Sequence, residues 1–527
     1  MADSKREIER KYEATPEAGL PDLTRAAGVS AVVHRGLSEL DAVYYDTEDL
    51  RLASDSLTLR RRTGGDDAGW HLKLPVSAGV RDEIRAPLTD SLPPELGDLL
   101  RSRVRNAAVN PVVRIFSARD VHHLLDEDGA LLAELSIDEV LAERLTEDGH
   151  GTTAAWTELE VELADDGDPA LLDAVERRLR KAGVRPSAAP SKLARALAET
   201  APGKPPATKA KSKADTKTKA KAKTEAKSKT PSPRTAGDHV LAYVRRQVTA
   251  LVELDPAVRR DLPDSVHRMR VATRRLRSAF RTYRKVLDRT VTDPLRAELK
   301  WLAAELGVDR DEEVLTERLR SDVAGLPDTL LLGPVSARLT LTSVARRTGS
   351  RRRVASVLDA ERYLALLDSL DALLACPPLL PGAARPPRDV LPRAVLKDYE
   401  RLATRVGHAL DLQPGTERDV AMHEARKAAK RVRYAAEAAR PALGKPAKKF
   451  AKRMKSVQSV LGDHQDSVVA RDALRTLAVQ AHGAGESAFT WGLLYGQEEA
   501  AAAARERELP EVWARASRPK LRAAWKG

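Results

Sequence analysis

The sequence has few of the residues that build several common kinds of site. Its 527 residues include one cysteine, Cys376, so an internal disulfide and a cysteine-based zinc centre are both excluded. Aromatics are only 4% of the chain, and large aromatic-lined pockets are not expected. No apolar run reaches the roughly 18 residues of a membrane span. The opening MADSKREIERKYEA is charged where a secretory signal would be apolar. A Gly-rich phosphate loop, a nucleophile elbow and Cys/His metal spacing are also missing. The expectation is a cytoplasmic protein of two to four domains with no membrane partner.

What is present is charge, unevenly spread. The net is +13. Residues 1–200 hold 26 basic and 38 acidic residues, residues 201–235 hold 11 and 2, and residues 236–527 hold 53 and 37. This reads as an acidic domain (1–200), a Lys/Ala/Pro-rich linker (201–235) and a basic domain (236–525). A basic domain suits a polyanion: nucleic acid, anionic membrane or polyphosphate. The linker carries ten lysines and no large apolar side chain. It is expected to be disordered, with a span of roughly 30–35 Å.

In the acidic domain, short alternating segments predict strands, and residues 169–183 predict a helix. Alternate side chains of a strand share a face. Glu7, Glu9 and Lys11 therefore lie on one side, as do Glu158, Glu160 and Glu162, with Leu159, Val161 and Leu163 opposite. Arg60 pairs in phase with Arg62, His71 with Lys73, and Glu83 with Arg85. Two arrangements fit. An ordinary half-buried strand would leave these charges in water; a closed barrel with helices outside would turn them into its lumen. In the second case cations would grip phosphate oxygens and carboxylates would hold a hard divalent cation.

Glu7-x-Glu9-x-Lys11 resembles the signature of the CYTH, or triphosphate tunnel metalloenzyme, superfamily. Further segments follow in that family's order: Tyr44-Tyr45-Asp46-Thr47, Leu59-Arg60-Arg61-Arg62, Trp70-His71-Leu72-Lys73, Arg81-Asp82-Glu83, Arg114 with Arg119, Asp138-Glu139, Glu158-x-Glu160-x-Glu162 and Ser191-Lys192-Leu193-Ala194-Arg195. The resemblance implies an α+β domain built on an eight-stranded antiparallel tunnel that binds triphosphates with Mg²⁺ or Mn²⁺. It assigns Glu7, Glu9, Glu158, Glu160, Glu162 and Asp138 to the metal. Lys11, with Glu7 and Glu9, would be catalytic, Lys11 by positioning the attacking water. Arg60, Arg62, Lys73, Glu83, Arg114, Arg119 and Lys192 would form the triphosphate site.

The basic domain is dominated by Ala/Leu/Arg/Glu stretches at helical spacing and is predicted all-α. Helix breaks are expected at Pro256, Pro263, Pro294, Gly333, residues 377–387, Pro414 and Pro441. Cys376, beside that Pro-rich loop, reads as a small hydrophobe. Two segments match: one from His267 to Arg277, the other from His423 to Arg433. Each has basic residues 3, 7, 8 and 10 after the histidine, and offsets 0, 3, 7 and 10 fall within about 80° of helix arc. His267, Arg270, Arg274 and Arg277 form one stripe, and His423, Arg426, Lys430 and Arg433 the other. Leu306-Gly307 and Leu461-Gly462 extend the repeat, each with an acid nearby; the glycines read as close-packing or helix-end residues and the acid as a cap. Four like charges on one face repel, which either a polyanionic ligand or a plain basic surface would accommodate.

This repeat resembles the CHAD family of helical domains. The resemblance implies two pseudo-symmetric four-helix bundles, about 236–380 and 388–525, that bind inorganic polyphosphate. The implied contacts are His267, Arg270, Arg274, Arg275, Arg277 and Lys300, then His423, Arg426, Lys427, Lys430, Arg431 and Arg433, with Lys448, Lys452 and Lys455. Arg245, Arg281, Arg284, Arg401 and Arg405 are further basic positions. The expected function is metal-dependent hydrolysis of tripolyphosphate or a related triphosphate, coupled through the linker to polyphosphate binding. The alternatives are a non-enzymatic polyphosphate-binding scaffold on granules, an adenylate cyclase, and nucleic-acid binding. The scarcity of aromatics disfavours the last.

Overall fold

The computed structural model describes residues 3–14, 20–26, 28–146, 151–201, 233–523 and 525, without the side chains of residue 3, 308–313 and 342–351. Most of the predicted linker, residues 202–232, lies outside them. The chain divides into two compact units, 1–222 and 223–527.

The first unit runs β1 (Asp3–Ala14), β2 (Ala31–Asp46), α1 (Arg51–Ser54), β3 (Thr58–Thr63), β4 (Gly69–Ser77), β5 (Val80–Ala86), α2 (Pro94–Val104), β6 (Asn110–Leu125), β7 (Leu131–Arg144), β8 (Thr153–Leu163), α3 (Ala170–Lys181), β9 (Arg185–Pro186) and α4 (Lys192–Glu199). The strand order is β5-β4-β3-β2-β6-β7-β8-β1, and β5 pairs with β1 to close an eight-stranded antiparallel barrel. The two-residue β9 adds to β1.

Strand parity decides which way the charges face. Tyr12, Leu159, Val161 and Leu163 point outward and pack against Leu172, Val175 and Leu179 of α3. Leu59, Trp70, Leu72 and Ile84 point outward against Leu96, Leu99 and Leu100 of α2. Each fully buried aliphatic side chain contributes about 1.5–3 kcal/mol, so the apolar faces are spent on the outer helices. The opposite faces, carrying the charges, line the lumen. One end of the lumen is apolar, and Leu193 and Ala196 of α4 plug it against Val113, Ile115, Val140 and Trp156.

Asp46, in the Tyr-Tyr-Asp-Thr segment, is a structural hub. It is fully buried, and its carboxylate accepts from the backbone N–H of Thr47 (2.7 Å), Leu52 (2.9 Å) and Ala53 (2.8 Å). It thereby ties the end of β2 to the start of α1.

The second unit is all-helical: α5 (Ala236–Arg259), α6 (Ser265–Thr282), α7 (Arg289–Glu305), α8 (Gly307–Ala324), α9 (Val335–Asp359), α10 (Glu361–Ala375), α11 (Pro387–Asp411), α12 (Thr416–Leu443), α13 (Lys445–Gly483), α14 (Phe489–Ala516) and α15 (Pro519–Ala523). The two stripes lie on α6 and α12. Both repeats feed one large core, in which Met269, Leu276 and Phe280 join Met422, Val432 and Phe450. A smaller core gathers Leu319, Leu474, Trp491 and Leu494.

Three expected breaks do not occur, because Pro256, Pro294 and Pro441 lie inside helices. A proline forfeits one ladder bond, and burial of the surrounding apolar side chains in the large core keeps these helices continuous. Cys376 is exposed at the end of α10, rather than packed as a hydrophobe. Among the described residues, no helix is long and apolar enough to cross a membrane.

Replacing Asp46 by Ala strands three amides, two of them buried, and each buried one costs about 1–3 kcal/mol when left unsatisfied. Urea unfolding of the full chain, followed by tryptophan fluorescence, should show the barrel transition at a clearly lower midpoint. An unchanged midpoint would mean that those amides find other partners.

Candidate functional site

The lumen is a cavity of about 620 Å³. Its charges are interleaved. Lys73 pairs with Glu7 at 2.7 Å and lies 3.6 Å from Glu83. Lys11 lies 3.2 Å from Glu9 and also contacts Glu160. Arg119 grips Asp138 through two nitrogens (2.8 and 2.9 Å) and reaches Glu160 at 3.0 Å. Arg60 lies 3.6 Å from Glu83, and Arg62 contacts Asp67. Lys192, the first residue of α4, puts its ammonium 2.9 Å from Asp138, 2.9 Å from Glu158 and 2.5 Å from Glu160. The Ser191 cap, whose hydroxyl accepts from the Ala194 N–H, fixes the helix start that aims it.

These pairings set the protonation states. Burial alone would raise the Glu160 carboxyl, but Lys11, Lys192 and Arg119 outweigh it and hold Glu160 well below the usual range. Glu9 and Asp138 are lowered against the same burial, Glu9 by Lys11 and Lys73, Asp138 by Lys192 and Arg119. Glu7 goes the other way: burial outweighs Lys73 and raises it. Burial also opposes the charge on Lys11, yet Glu160 and Glu9 raise it, so Lys11 stays an ammonium donor. Burial, with Arg60 and Arg119 alongside, pushes Arg62 down to about 8. Three guanidiniums crowded in this way favour an anion among them.

Asp138, Glu158 and Glu160 are all buried, and one oxygen from each lies within 4.8 Å of the others. An all-oxygen donor set suits a hard divalent cation such as Mg²⁺ or Mn²⁺. The Lys192 ammonium already touches all three, so a cation fits among them. Glu7, Glu9 and Glu162 line the same cavity, with Glu162 held by Lys5 at 2.9 Å.

Arg114 is a correction. It sits five residues before Arg119, an odd spacing, and so turns to the barrel's outer face. There it pairs with Asp41 (3.0 and 2.6 Å) and stacks over Phe116. Four cations that line the lumen, Lys5, Arg35, Arg81 and Arg85, were not among the expected site residues. Arg81 lies 2.8 Å from Glu9, and Arg85 lies 2.5 Å from Glu83. Arg81 and Arg85 share parity with Glu83 on β5, so the alternation contained the signal for these two. His71, also in phase, is buried with Nδ1 2.9 Å from Glu83 and Nε2 2.8 Å from the Asp67 carbonyl. Burial pushes it down to about 4.

In the helical unit the structure sorts the expected contacts. Arg270 is buried, and its guanidinium packs where a Cβ on Gly307 would sit, at 3.1 Å. Arg426 occupies the equivalent place against Gly462, at 3.6 Å, and pairs with Asp466 at 3.3 Å. Gly307 therefore leaves close room for Arg270, while at Gly462 the arginine lies at ordinary contact distance. Asp466, inside α13, holds that arginine and is not a cap; the side chain of the corresponding Asp311 lies outside the described residues.

Arg433 stacks on Tyr434 and lies 3.5 Å from Glu437, which Arg275 approaches at 3.4 Å. Lys427 pairs with Glu424 at 2.7 Å. Arg274 and Lys430 are half-buried on their helices. His267, Lys300, Lys448, Lys452 and Lys455 are exposed. Burial and the flanking Lys427 lower His423.

Arg277, Arg281 and Arg431 lie among Arg296, Arg401 and Arg405 on four helices, α6, α7, α11 and α12. Burial and these neighbours lower Arg277 and Arg281, and push Arg431 down to about 10. Arg296 was not expected there.

Two domain families match in the same order. CYTH domain covers residues 5–197 and CHAD domain residues 242–475. Rv2226 of Mycobacterium tuberculosis (strain H37Rv), an uncharacterized protein, is 37% identical over 522 residues, 96% of this chain and 95% of its own. Among solved structures, PptA from Streptomyces chartreusis is similar at 23% identity, covering 54% of this chain and 100% of its own, with a TM-score of 0.45. HpAC1 from Hippeastrum, a proposed adenylyl cyclase with a dominant triphosphatase activity, is similar at 20% identity over 38% of this chain and 96% of its own, with a TM-score of 0.22. With a closed tunnel of inward charges followed by a repeated basic helical domain, this chain belongs to the proteins that join a CYTH domain to a CHAD domain.

Proposed function

We propose that the CYTH domain hydrolyses tripolyphosphate or a related triphosphate with a divalent metal, and that the CHAD domain binds inorganic polyphosphate. One observation carries the reading: crowded guanidiniums and a buried carboxylate trio meet in one barrel lumen, with Arg119 in contact with both Asp138 and Glu160. Anion binding alone needs no inward carboxylates, which favours hydrolysis over a purely binding scaffold. Membership of the CYTH family, which includes triphosphatases, supports the same reading.

Arg60, Arg62, Lys73, Arg119 and Lys192 bind the phosphate oxygens, exchanging carboxylate partners for the substrate. Asp138, Glu158 and Glu160, with Glu7 and Glu9 nearby, would hold the metal. When bound, the metal neutralises charge on the phosphate oxygens. Lys11, kept cationic by Glu9 and Glu160, donates to the attacking water and orients it. The water oxygen bonds to the terminal phosphorus and gives one proton to a phosphate oxygen, the bridging P–O bond breaks with its electron pair left on the departing phosphate, and the Arg and Lys side chains take up that charge. In the CHAD domain, the cluster around Arg277, Arg281 and Arg431 is the centre of the polyphosphate surface, and the exposed lysines of α13 contribute beside it.

Phosphate release from tripolyphosphate should require Mg²⁺ or Mn²⁺ and stop with chelator. The Glu158→Gln/Glu160→Gln variant should be slower by at least about 100-fold. A metal-independent rate, or one that the variant keeps, refutes hydrolysis in this tunnel.

Polyphosphate binding by the full chain should weaken by about tenfold for Arg277→Ala or Arg431→Ala, the loss of about 1.4 kcal/mol for one charge-assisted contact. It should also fall steeply with salt. Equal affinity for DNA of the same charge, in direct competition, would move the reading to nucleic acid.

Acid should unfold the metal-free barrel early. Glu9, Asp138 and Glu160 are depressed below their ordinary values of 4.5, 3.8 and 4.5. Their contribution is complete above those values and is lost as pH falls through the lower folded ones. Glu7, raised by burial, works in the opposite sense. Melting temperature in chelator should therefore hold from pH 7 to about 5 and drop below about 4. A flat profile down to pH 3 would contradict the pairing.

A further inference from the structure

A second cluster of metal-type donors lies on the outer wall of the barrel, with a chemistry unlike that of the lumen. His34 on β2 and His122 on β6 are direct cross-strand partners. Asp120 lies two residues before His122 on the same face of β6. His34 Nε2 is 2.6 Å from Asp120 Oδ1, His122 Nε2 is 3.2 Å from Asp120 Oδ2, and the two ring centroids are 5.1 Å apart. One donor atom from each residue lies within 4.8 Å of the other two. The side chains of His34, Asp120 and His122 are 59%, 36% and 16% exposed, so an ion can reach the cluster from solvent.

We propose that His34, Asp120 and His122 form a site for a borderline divalent transition-metal ion of the zinc class. Two imidazoles and a carboxylate are the donors such ions prefer, whereas Mg²⁺ takes oxygen. Zinc holds nitrogen and oxygen donors at about 2.0–2.2 Å, which separates neighbouring donors of a tetrahedral site by roughly 3.3 Å. The observed 2.6 and 3.2 Å gaps need only small side-chain rotations to meet that. With each ring's hydrogen on Nδ1, both Nε2 lone pairs face the Asp120 carboxylate and are free to bind an ion beside it. The two strands are already paired along most of their length, so binding orders little backbone. Three protein ligands leave the fourth position to water.

The site also has a place in the fold. The ladder between β2 and β6 is interrupted between His34 and Gly36, which has a φ of 114°. This bulge lets Arg35 line the lumen while His34 faces outward. An ion linking His34 to β6 fixes the bulge from its outer side, and with it the position of Arg35 at the cavity wall.

The test uses the untagged full chain, stripped with chelator, beside His34→Gln and His122→Gln variants checked for an unchanged circular dichroism melt. Titration with Co²⁺ should give the wild type the intense visible d–d bands of a four-coordinate site, and Zn²⁺ should bleach them. Equilibrium dialysis should find one more zinc ion per wild-type chain than per chain of either variant. That difference separates the site from any zinc bound by the lumen carboxylates, which all three proteins share. Magnesium-supported phosphate release should be unchanged in the variants. Absence of the four-coordinate cobalt spectrum, or equal zinc stoichiometry in wild type and variants, overturns the proposal.

Discussion

Buried charge is the constraint around which the CYTH domain is organised. Asp138 and Glu83 are fully buried, and Glu7 and Glu158 nearly so. An unpaired carboxylate in such a place would cost several kcal/mol or take up a proton. The barrel answers with a cation for each of them, drawn from different strands and from α4. Lys192 is the clearest case. The helix that closes the apolar end of the lumen with Leu193 and Ala196 also begins with the ammonium that holds three carboxylates. Seating the plug and neutralising the trio are one event, so fold and site cannot be separated there. Buried pairs of this kind gain little net stability over apolar packing. Their retention follows from what they can exchange partners with.

The CHAD domain treats its cations differently. They lie on helix faces, half-buried or exposed, and around Asp398 the cations outnumber the acid that they share. The first arginine of each repeat is the exception: it is tucked over a glycine. Any side chain at Gly307 would meet the Arg270 guanidinium. Arg426 also lies over Gly462, at the looser 3.6 Å of ordinary contact, although the chain path differs. In the first repeat α7 ends at Glu305, Leu306 makes the turn and α8 starts at Gly307, while in the second α13 runs through. The packing of arginine on glycine is thus kept where the backbone around it is not.

Much of this was legible in the sequence wherever strand alternation or helix periodicity was unbroken. Glu7, Glu9 and Lys11 share a face because they alternate, and so do Glu158, Glu160 and Glu162. The same arithmetic separates Arg114 from Arg119 and adds Arg81 and Arg85 to Glu83. What parity could not supply was the direction of the charged face. That depends on α2 and α3 covering the apolar face, a tertiary outcome. Nor could parity survive the bulge at Arg35, which reverses the alternation within β2. Pro256, Pro294 and Pro441 misled for a related reason, since local breakers are overruled where a helix is held by a core. Asp46 carried no mark of its role, because three backbone amides reach it only after β2 turns into α1.

The two domains thus present cations in two physical settings, and under the proposed function the difference has a chemical sense. A lumen walled by protein on all sides of the barrel lowers the local dielectric and strengthens each contact with a phosphate oxygen. It also admits only a short chain or a chain end. An open helical face is screened by salt and weaker per contact, but it imposes no length. A long polyphosphate suits the face and a triphosphate terminus suits the lumen. Carboxylates are needed only where a bond is to be broken with a metal's help, and it is in the lumen that Asp138, Glu158 and Glu160 converge.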